Sequence, residues 1–174
     1  MQQRNRYFLH EKYANPIAEH LRRVTLDARR LALGLAPVAV ERAGLAGALA
    51  LLKCDVETLK GPAVTVSVAE RFAGVPLDMA VNLYRIAQEA TANAMRHSGA
   101  AHITIVADVC AEGFMLVIQD DGCGIHDSGP DVWGLGIKSM ASRAELLGGD
   151  LRLLAAIPHG TRVQVILPID SGKA

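Results

Sequence analysis

The first clear pattern lies in residues 12–36, where Ile17, Leu21, Val24, Ala28, Leu31 and Leu35 recur at alternating steps of four and three. Those steps trace a heptad seam along one side of a helix, with Arg22, Arg23, Asp27, Arg29 and Arg30 off the seam. The seam is short and suits packing on the protein's own core as well as self-association. Pro37 is expected to end this helix, because proline lacks the N–H that would continue it. A second, shorter helix is predicted over residues 40–52, with Leu45, Leu49 and Leu52 on one side.

Gly61-Pro62 interrupts the helical pattern, and a domain boundary is placed there. Beyond it the period changes. "VTVSVAE" alternates apolar and polar from Val64 to Val68, as a strand with one buried face does. Residues 78–97 read as a helix between Pro76 and Gly99. "HITIVADV" and "FMLVIQD" form a hairpin joined at Glu112-Gly113. Residues 121–136 are a glycine-containing loop, and residues 137–147 a helix stopped by Gly148-Gly149. "DLRLLAA" and "RVQVILP" make a second hairpin, turned at Pro158-His159-Gly160. Consecutive hairpins with few crossovers predict an α+β fold. Its form is a two-layer sandwich, a mostly antiparallel mixed sheet covered on one face by helices and preceded by a helical segment. The expected division is residues 1–61, 62–170 and a tail over 171–174.

Composition narrows the class. The apolar share is 51% and the aromatic share 4%, so the core must be aliphatic and alanine-rich. Lys+Arg and Asp+Glu balance at 18 each, which removes any general electrostatic reason to bind nucleic acid or an anionic membrane. Cys54, Cys110 and Cys123 are far apart and form no C-x-x-C pair, which fits reduced thiols in a cytosolic protein. No apolar run approaches the ~18–20 residues of a membrane span, and "MQQRNRYFLHEKY" lacks the apolar core of a signal peptide. The expected location is cytoplasmic, either as a free protein or as the cytoplasmic part of a membrane-anchored receptor.

The helix over residues 78–97 carries a narrow polar stripe. Asp78, Asn82, Arg85, Glu89, Asn93 and Arg96 fall within about 80° of arc at 100° per residue. Gln88 and His97 flank it, and nearly everything else is apolar or small. A solvated face is one reading. The other is chemical: Glu89 and Asn93 stand one turn apart, and a carboxylate with an amide oxygen suits Mg²⁺. Glu89 can also orient a nucleophile, and Arg96 can balance phosphate charge.

Two glycine motifs follow. In "DDGCGI" (residues 120–125), Asp120 ends a strand, and Gly122 and Gly124 permit a turn at which backbone approaches a ligand closely. "GLGIKS" (residues 134–139) opens a helix, whose free N–H groups suit phosphate. It is neither a Walker A loop nor a dinucleotide fingerprint, since the glycine spacings of both are missing. Residues 126–133 between the motifs read as a short lid, in which Trp133 has an ordinary packing role as its alternative.

In fixed order, "LYRIAQEATANAMRH", "DDGCGI", "GLGIKSMASRAELLGGDL" and "GTRVQVILP" resemble the ATP-binding domain of two-component sensor histidine kinases, within the fold family shared with gyrase, Hsp90 and MutL. The likeness is to the short-lid kinases of the nitrate-sensor and DesK type, over roughly residues 63–168. "DARRLALGLAPVAVERAGLAGALALL" resembles their second dimerisation helix and its exit. The resemblance implies a role for each matching position. Glu89 is the acid that polarises the attacking group, and Asn93 is the Mg²⁺ ligand. Arg96 and His97 lie near the ATP phosphates. Asp120 accepts the adenine amino group, with Gly122, Gly124 and Ile125 shaping the base pocket. Gly134, Leu135 and Gly136 form the second glycine box, and Thr161 sits near the adenine.

The implied partners are ATP, a response regulator, a phosphoacceptor helix of this or another kinase chain, and a second copy in a homodimer. The phosphoacceptor is where the chain departs from the family. His10-Glu11 is the only His-acid pair ahead of the binding domain, and two antiparallel helices do not fit between residue 1 and Pro37. Neither His10 nor His20 is well placed, so the reading is of a chain lacking the first helix, from which autophosphorylation alone is not expected. A serine kinase of the anti-sigma type and a non-catalytic nucleotide-binding or dimerising module are the alternatives.

Overall fold

The alternating segments become five strands. The computed structural model describes residues 36–72, 74–125 and 133–168. Strands β1 (Ala63–Val68), β2 (His102–Cys110), β3 (Gly113–Asp120), β4 (Asp150–Ala155) and β5 (Thr161–Leu167) form one sheet in the order β1-β2-β3-β5-β4. β1 runs parallel to β2, with Val64 opposite Ile103, and the other pairs are antiparallel. Only the parallel pair needs a long crossover, and helix α2 (Leu77–Asn93) supplies it.

Helices α1 (Ala36–Thr58), α2 and α3 (Leu135–Leu146) pack on the sheet. α1 lies against α2 and β1, α2 against β3 and α3, and α3 against β4 and β5. Leu49, Ile86, Ile103, Ile105 and Val165 are wholly buried, each worth about 1.5–3 kcal/mol of apolar burial. Ala80, Ala87 and Ala90 put the alanine side of α2 into this core, and Ala94 just beyond its end joins them, leaving the polar stripe on the other side. The α+β sandwich read from the sequence is the fold observed.

Several local features differ from expectation. α1 is longer than residues 40–52 and is broken at Gly44, whose φ of 64° and ψ of −176° only glycine adopts readily. Pro37 stands in the first turn of α1, where its missing N–H leaves no helical bond unmade, and the helix it is expected to end lies outside the described residues. A 3₁₀ turn over Glu70–Phe72 buries Phe72 edge-on against Phe114, with ring centroids 5.1 Å apart at 71°. Helix α2 passes into a π-helical turn, Ala94–Ser98, and stops at left-handed Gly99. α3 begins at Leu135, ahead of the expected residue 137. The seam over residues 12–35, His10, His20, lid residues 126–132 and the tail from residue 169 lie outside the described residues.

Cys54, Cys110 and Cys123 are free thiols. No helix among the described residues is long and apolar enough to cross a membrane.

Candidate functional site

The polar stripe of α2 does not simply face solvent. Its C-terminal half forms one wall of a cavity of about 390 Å³. Glu89, Asn93, Arg96 and His97 line that wall, Asp120, Gly124 and Ile125 come from the end of β3, and Gly134 and Gly136 come from the start of α3. Thr161 completes the rim from β5, beside the end of β3, where Gln119 pairs with Arg162. Ile118, Met140, Leu153 and Val163 make an apolar floor.

Asp120 is the buried acid of the site, 7% exposed at the last position of β3. Strand alternation places it on the helix-covered side with Leu116 and Ile118. Its Oδ1 accepts a 2.9 Å hydrogen bond from the Gly122 N–H, which fixes the carboxylate and curls the loop beneath it. The next residue, Asp121, works at the surface. The N–H groups of His102 and Ala101 each donate to its Oδ1 at 2.8 Å. Those two bonds, that from His102 foremost, hold its carboxyl below the usual carboxylate range.

Glycines let the loops interlock. A Cβ on Gly122 would run into the Ser98 carbonyl and side chain, and one on Gly160 into the Asp120 carbonyl. Gly124 lies against Gly160 from the other side. The Cys123 N–H donates to the Ser98 carbonyl at 2.9 Å, and His159 Nδ1 lies 3.3 Å from the Gly122 carbonyl oxygen. The β3 loop is thus held between the π turn of α2 and the β4–β5 turn.

On α2, Arg96 folds back along the helix. Its Nη2 donates to Asn93 Oδ1 at 2.6 Å and to Glu89 Oε1 at 3.3 Å, and its Nε donates to the Ala92 carbonyl at 2.9 Å. Two acceptor oxygens therefore converge on one cationic group. An amide and a carboxylate oxygen so placed fit a hard cation such as Mg²⁺. Among the described residues, no cluster of three or more His, Cys, Asp or Glu is arranged to hold a metal alone. At the facing wall α3 starts without a side-chain cap, which leaves its first N–H groups to other acceptors.

The structure brings the sequence-expected residues to this one cavity except Gly122 and Leu135. Gly122 sits behind it against Ser98, and the Leu135 side chain is 88% exposed. Sequence reading missed the apolar floor, although strand alternation marks Ile118 and Val163 as sharing a side with Asp120 and Thr161. It also missed Ser98 and Gly160, whose roles depend on loops meeting across the fold.

An α-helical layer over a mixed sheet, with this cavity between them, defines a class. The chain belongs to the family of histidine kinase-, DNA gyrase B- and HSP90-like ATPases, whose model matches residues 78–171, more than half of the chain. Among similar proteins, the sensor protein VraS of Staphylococcus saprophyticus is 32% identical over 145 residues, covering 83% of this chain and 41% of that protein. The histidine-protein kinase/phosphatase UhpB of Salmonella typhimurium is 40% identical over 88 residues, covering 51% of this chain and 17% of UhpB. The chain therefore spans less than half the length of these relatives. Among solved structures, the histidine kinase domain of the Erythrobacter litoralis blue-light activated kinase superposes with a TM-score of 0.65 at 22% identity, covering 83% of this chain and 74% of that one. The ATP-binding domain of PrrB from Mycobacterium tuberculosis gives 0.54 at 26% identity, covering 70% and 90%.

Proposed function

We propose that this chain is the Mg·ATP-binding catalytic part of a two-component sensor histidine kinase, donating the γ-phosphoryl group to a histidine on a dimerisation helix. The observation that carries this reading is the pairing of a buried carboxylate, Asp120, with a polar wall of Glu89, Asn93 and Arg96 in one cavity. The named relatives are sensor kinases, which favours this reading over a serine kinase or a non-catalytic module.

Asp120 accepts the adenine amino hydrogen, and Ile125, Gly124 and Thr161 bound the base over the apolar floor. A base lacking that donor leaves the carboxylate unpaired, at roughly 1–3 kcal/mol. Arg96, His97 and the N–H groups at Gly134, Leu135 and Gly136 face the phosphates. Phosphoryl transfer needs positioning and charge neutralisation more than covalent help from the protein. Asn93 would hold Mg²⁺, which when bound offsets phosphate charge. Glu89 orients and polarises the attacking group.

In this proposal residues 62–170 are the ATP-binding domain and residues 171–174 a tail. Residues 1–61 are the segment that resembles the second dimerisation helix and its exit. The acceptor helix, the response regulator and a second copy of the kinase are its partners, and the location is cytoplasmic, as a free protein or as the cytoplasmic part of a membrane-anchored receptor. Calorimetry with Mg·ATP tests the reading. Asn93→Ala and Asp120→Asn each lose at least tenfold in affinity, and wild-type affinity in both variants refutes it. A separate first-helix peptide, added with labelled ATP, then acquires acid-labile phosphate.

A further inference from the structure

Glu89, Asn93 and Arg96 lie at i, i+4 and i+7 on one face of α2, so their side chains share one patch of surface. The Arg96 guanidinium fills the point where the other two converge, 2.6 Å from Asn93 Oδ1 and 3.3 Å from Glu89 Oε1. Its Nε bond to the Ala92 carbonyl tethers it there from the π turn, a helical irregularity common at functional sites. A divalent ion drawn by the same two oxygens meets a positive charge already in its place. Both cations cannot occupy that point, because their repulsion at contact distance exceeds what a half-exposed site screens.

We infer that Arg96 is a resident cation which holds the metal seat closed and exchanges partners when Mg·ATP arrives. This rests on the reading of the cavity as a Mg·ATP site and adds a second role for Arg96. Arg96 neutralises Glu89 and orients Asn93. When the nucleotide enters, the phosphates give the guanidinium a stronger partner, and its departure releases both oxygens together. The Arg96 and Glu89 side chains are 35% and 36% exposed, so the pair that must break is a weak one. Free metal alone brings no anion to draw Arg96 away. The seat is thus selective for metal that comes with nucleotide. Arg96 acts here as a positioning residue, through Asn93 and Glu89.

The test is metal binding without nucleotide, with Mn²⁺ as the probe, read by electron paramagnetic resonance on the full chain. Arg96→Met keeps the aliphatic stem and removes the charge, and Arg96→Gln serves as a second variant. Circular dichroism confirms that each is folded. The expected result is Mn²⁺ binding at least threefold tighter than wild type in both variants, lost again when Asn93→Ala is added. No gain in either folded variant overturns the inference, as does a gain that survives Asn93→Ala. Calorimetry of wild type with Mg·ATP runs beside it. Absence of binding there sinks the nucleotide reading and the exchange of partners with it, whereas the blocking of the metal seat by Arg96 stands or falls on the Mn²⁺ series.

Discussion

Gly136 at the start of α3 lies directly against Glu89 of α2, so that a Cβ at position 136 would overlap Glu89 Oε1 and approach Asn93 Nδ2 to 3.5 Å. The glycine's lack of a side chain is what lets the first turn of α3 reach the polar wall. Gly134, two residues earlier, has nothing within 4 Å of its Cβ position and ordinary extended backbone. The two glycines of one motif therefore differ in kind.

Substitution separates them. In Gly136→Ala the atom struck is the far end of a flexible side chain, so Glu89 swings aside and the fold survives. The cost falls on the site, because Glu89 leaves Arg96 and the α3 N-terminus. The expected outcome is a melting temperature within about 3 °C of wild type and Mg·ATP affinity reduced on the order of tenfold. Gly134→Ala keeps wild-type stability and loses less affinity than Gly136→Ala. Thermal unfolding and calorimetry on both variants check this; equal losses of affinity in the two would contradict it.

Gly160 presents the opposite case. Its φ is 107°, and a Cβ would strike the Asp120 main-chain carbonyl, which cannot swing away. Backbone strain and overpacking add, so Gly160→Ala is expected to cost about 2–4 kcal/mol. A lowered urea midpoint at unchanged slope would show it. Because the displaced atom belongs to Asp120, nucleotide affinity falls as well. A stable Gly160→Ala protein with normal affinity would show that the β4–β5 turn does not brace Asp120.

The contrast among these glycines marks how far the sequence alone could be read. Strand and helix positions were legible because they follow periods of two and 3.6 residues, and Asp120 was legible because it ends an alternating run. The apolar helix side of Ala80, Ala87, Ala90 and Ala94 was legible in the same way. What escaped were contacts between residues far apart in sequence. Gly160 against Asp120, Ser98 against Gly122 and Gly136 against Glu89 leave no local pattern. The π turn and the break at Gly44 also escaped, since Ala94–Ser98 and the flanks of Gly44 carry ordinary helix formers. Leu135 was carried into the site by its neighbours in "GLGIKS", yet its side chain points to solvent.

Asp121 makes stability depend on acid. Its carboxyl titrates lower in the folded chain than the ordinary 3.8, through the hydrogen bonds from His102 and Ala101. A depressed carboxyl contributes stability fully above its unfolded pKa, and the contribution fades as pH falls through the folded pKa. Asp121→Asn removes that contribution at neutral pH and has nothing left to lose in acid. The stability gap between wild type and Asp121→Asn should therefore be widest above about pH 5 and shrink toward pH 3. Urea titrations across that range measure it, and a gap independent of pH would assign the residue a role unrelated to its charge.

Helix α1 lies ahead of the break that the sequence marks at Gly61-Pro62. In the fold its buried side, with Leu45, Leu49, Leu52 and Val56, continues the core that α2 and β1 share. Leu49 is wholly buried, whereas Leu51, two residues on, is 51% exposed. Leu49→Ala removes apolar contacts and leaves a cavity that a neighbouring helix and strand only partly fill, at about 2–5 kcal/mol. Leu51→Ala should stay within roughly 0.5 kcal/mol. If α1 folds as one unit with the sheet, Leu49→Ala lowers the single unfolding midpoint seen by helix and strand probes alike. Hydrogen exchange supplies the decisive readout. Amides of β2 lose protection in step with those of α1 in the cooperative case, and retain it if α1 melts alone. Retained protection in β2 would make α1 an appendage, and the ATP-binding domain would then begin at the Gly61-Pro62 break.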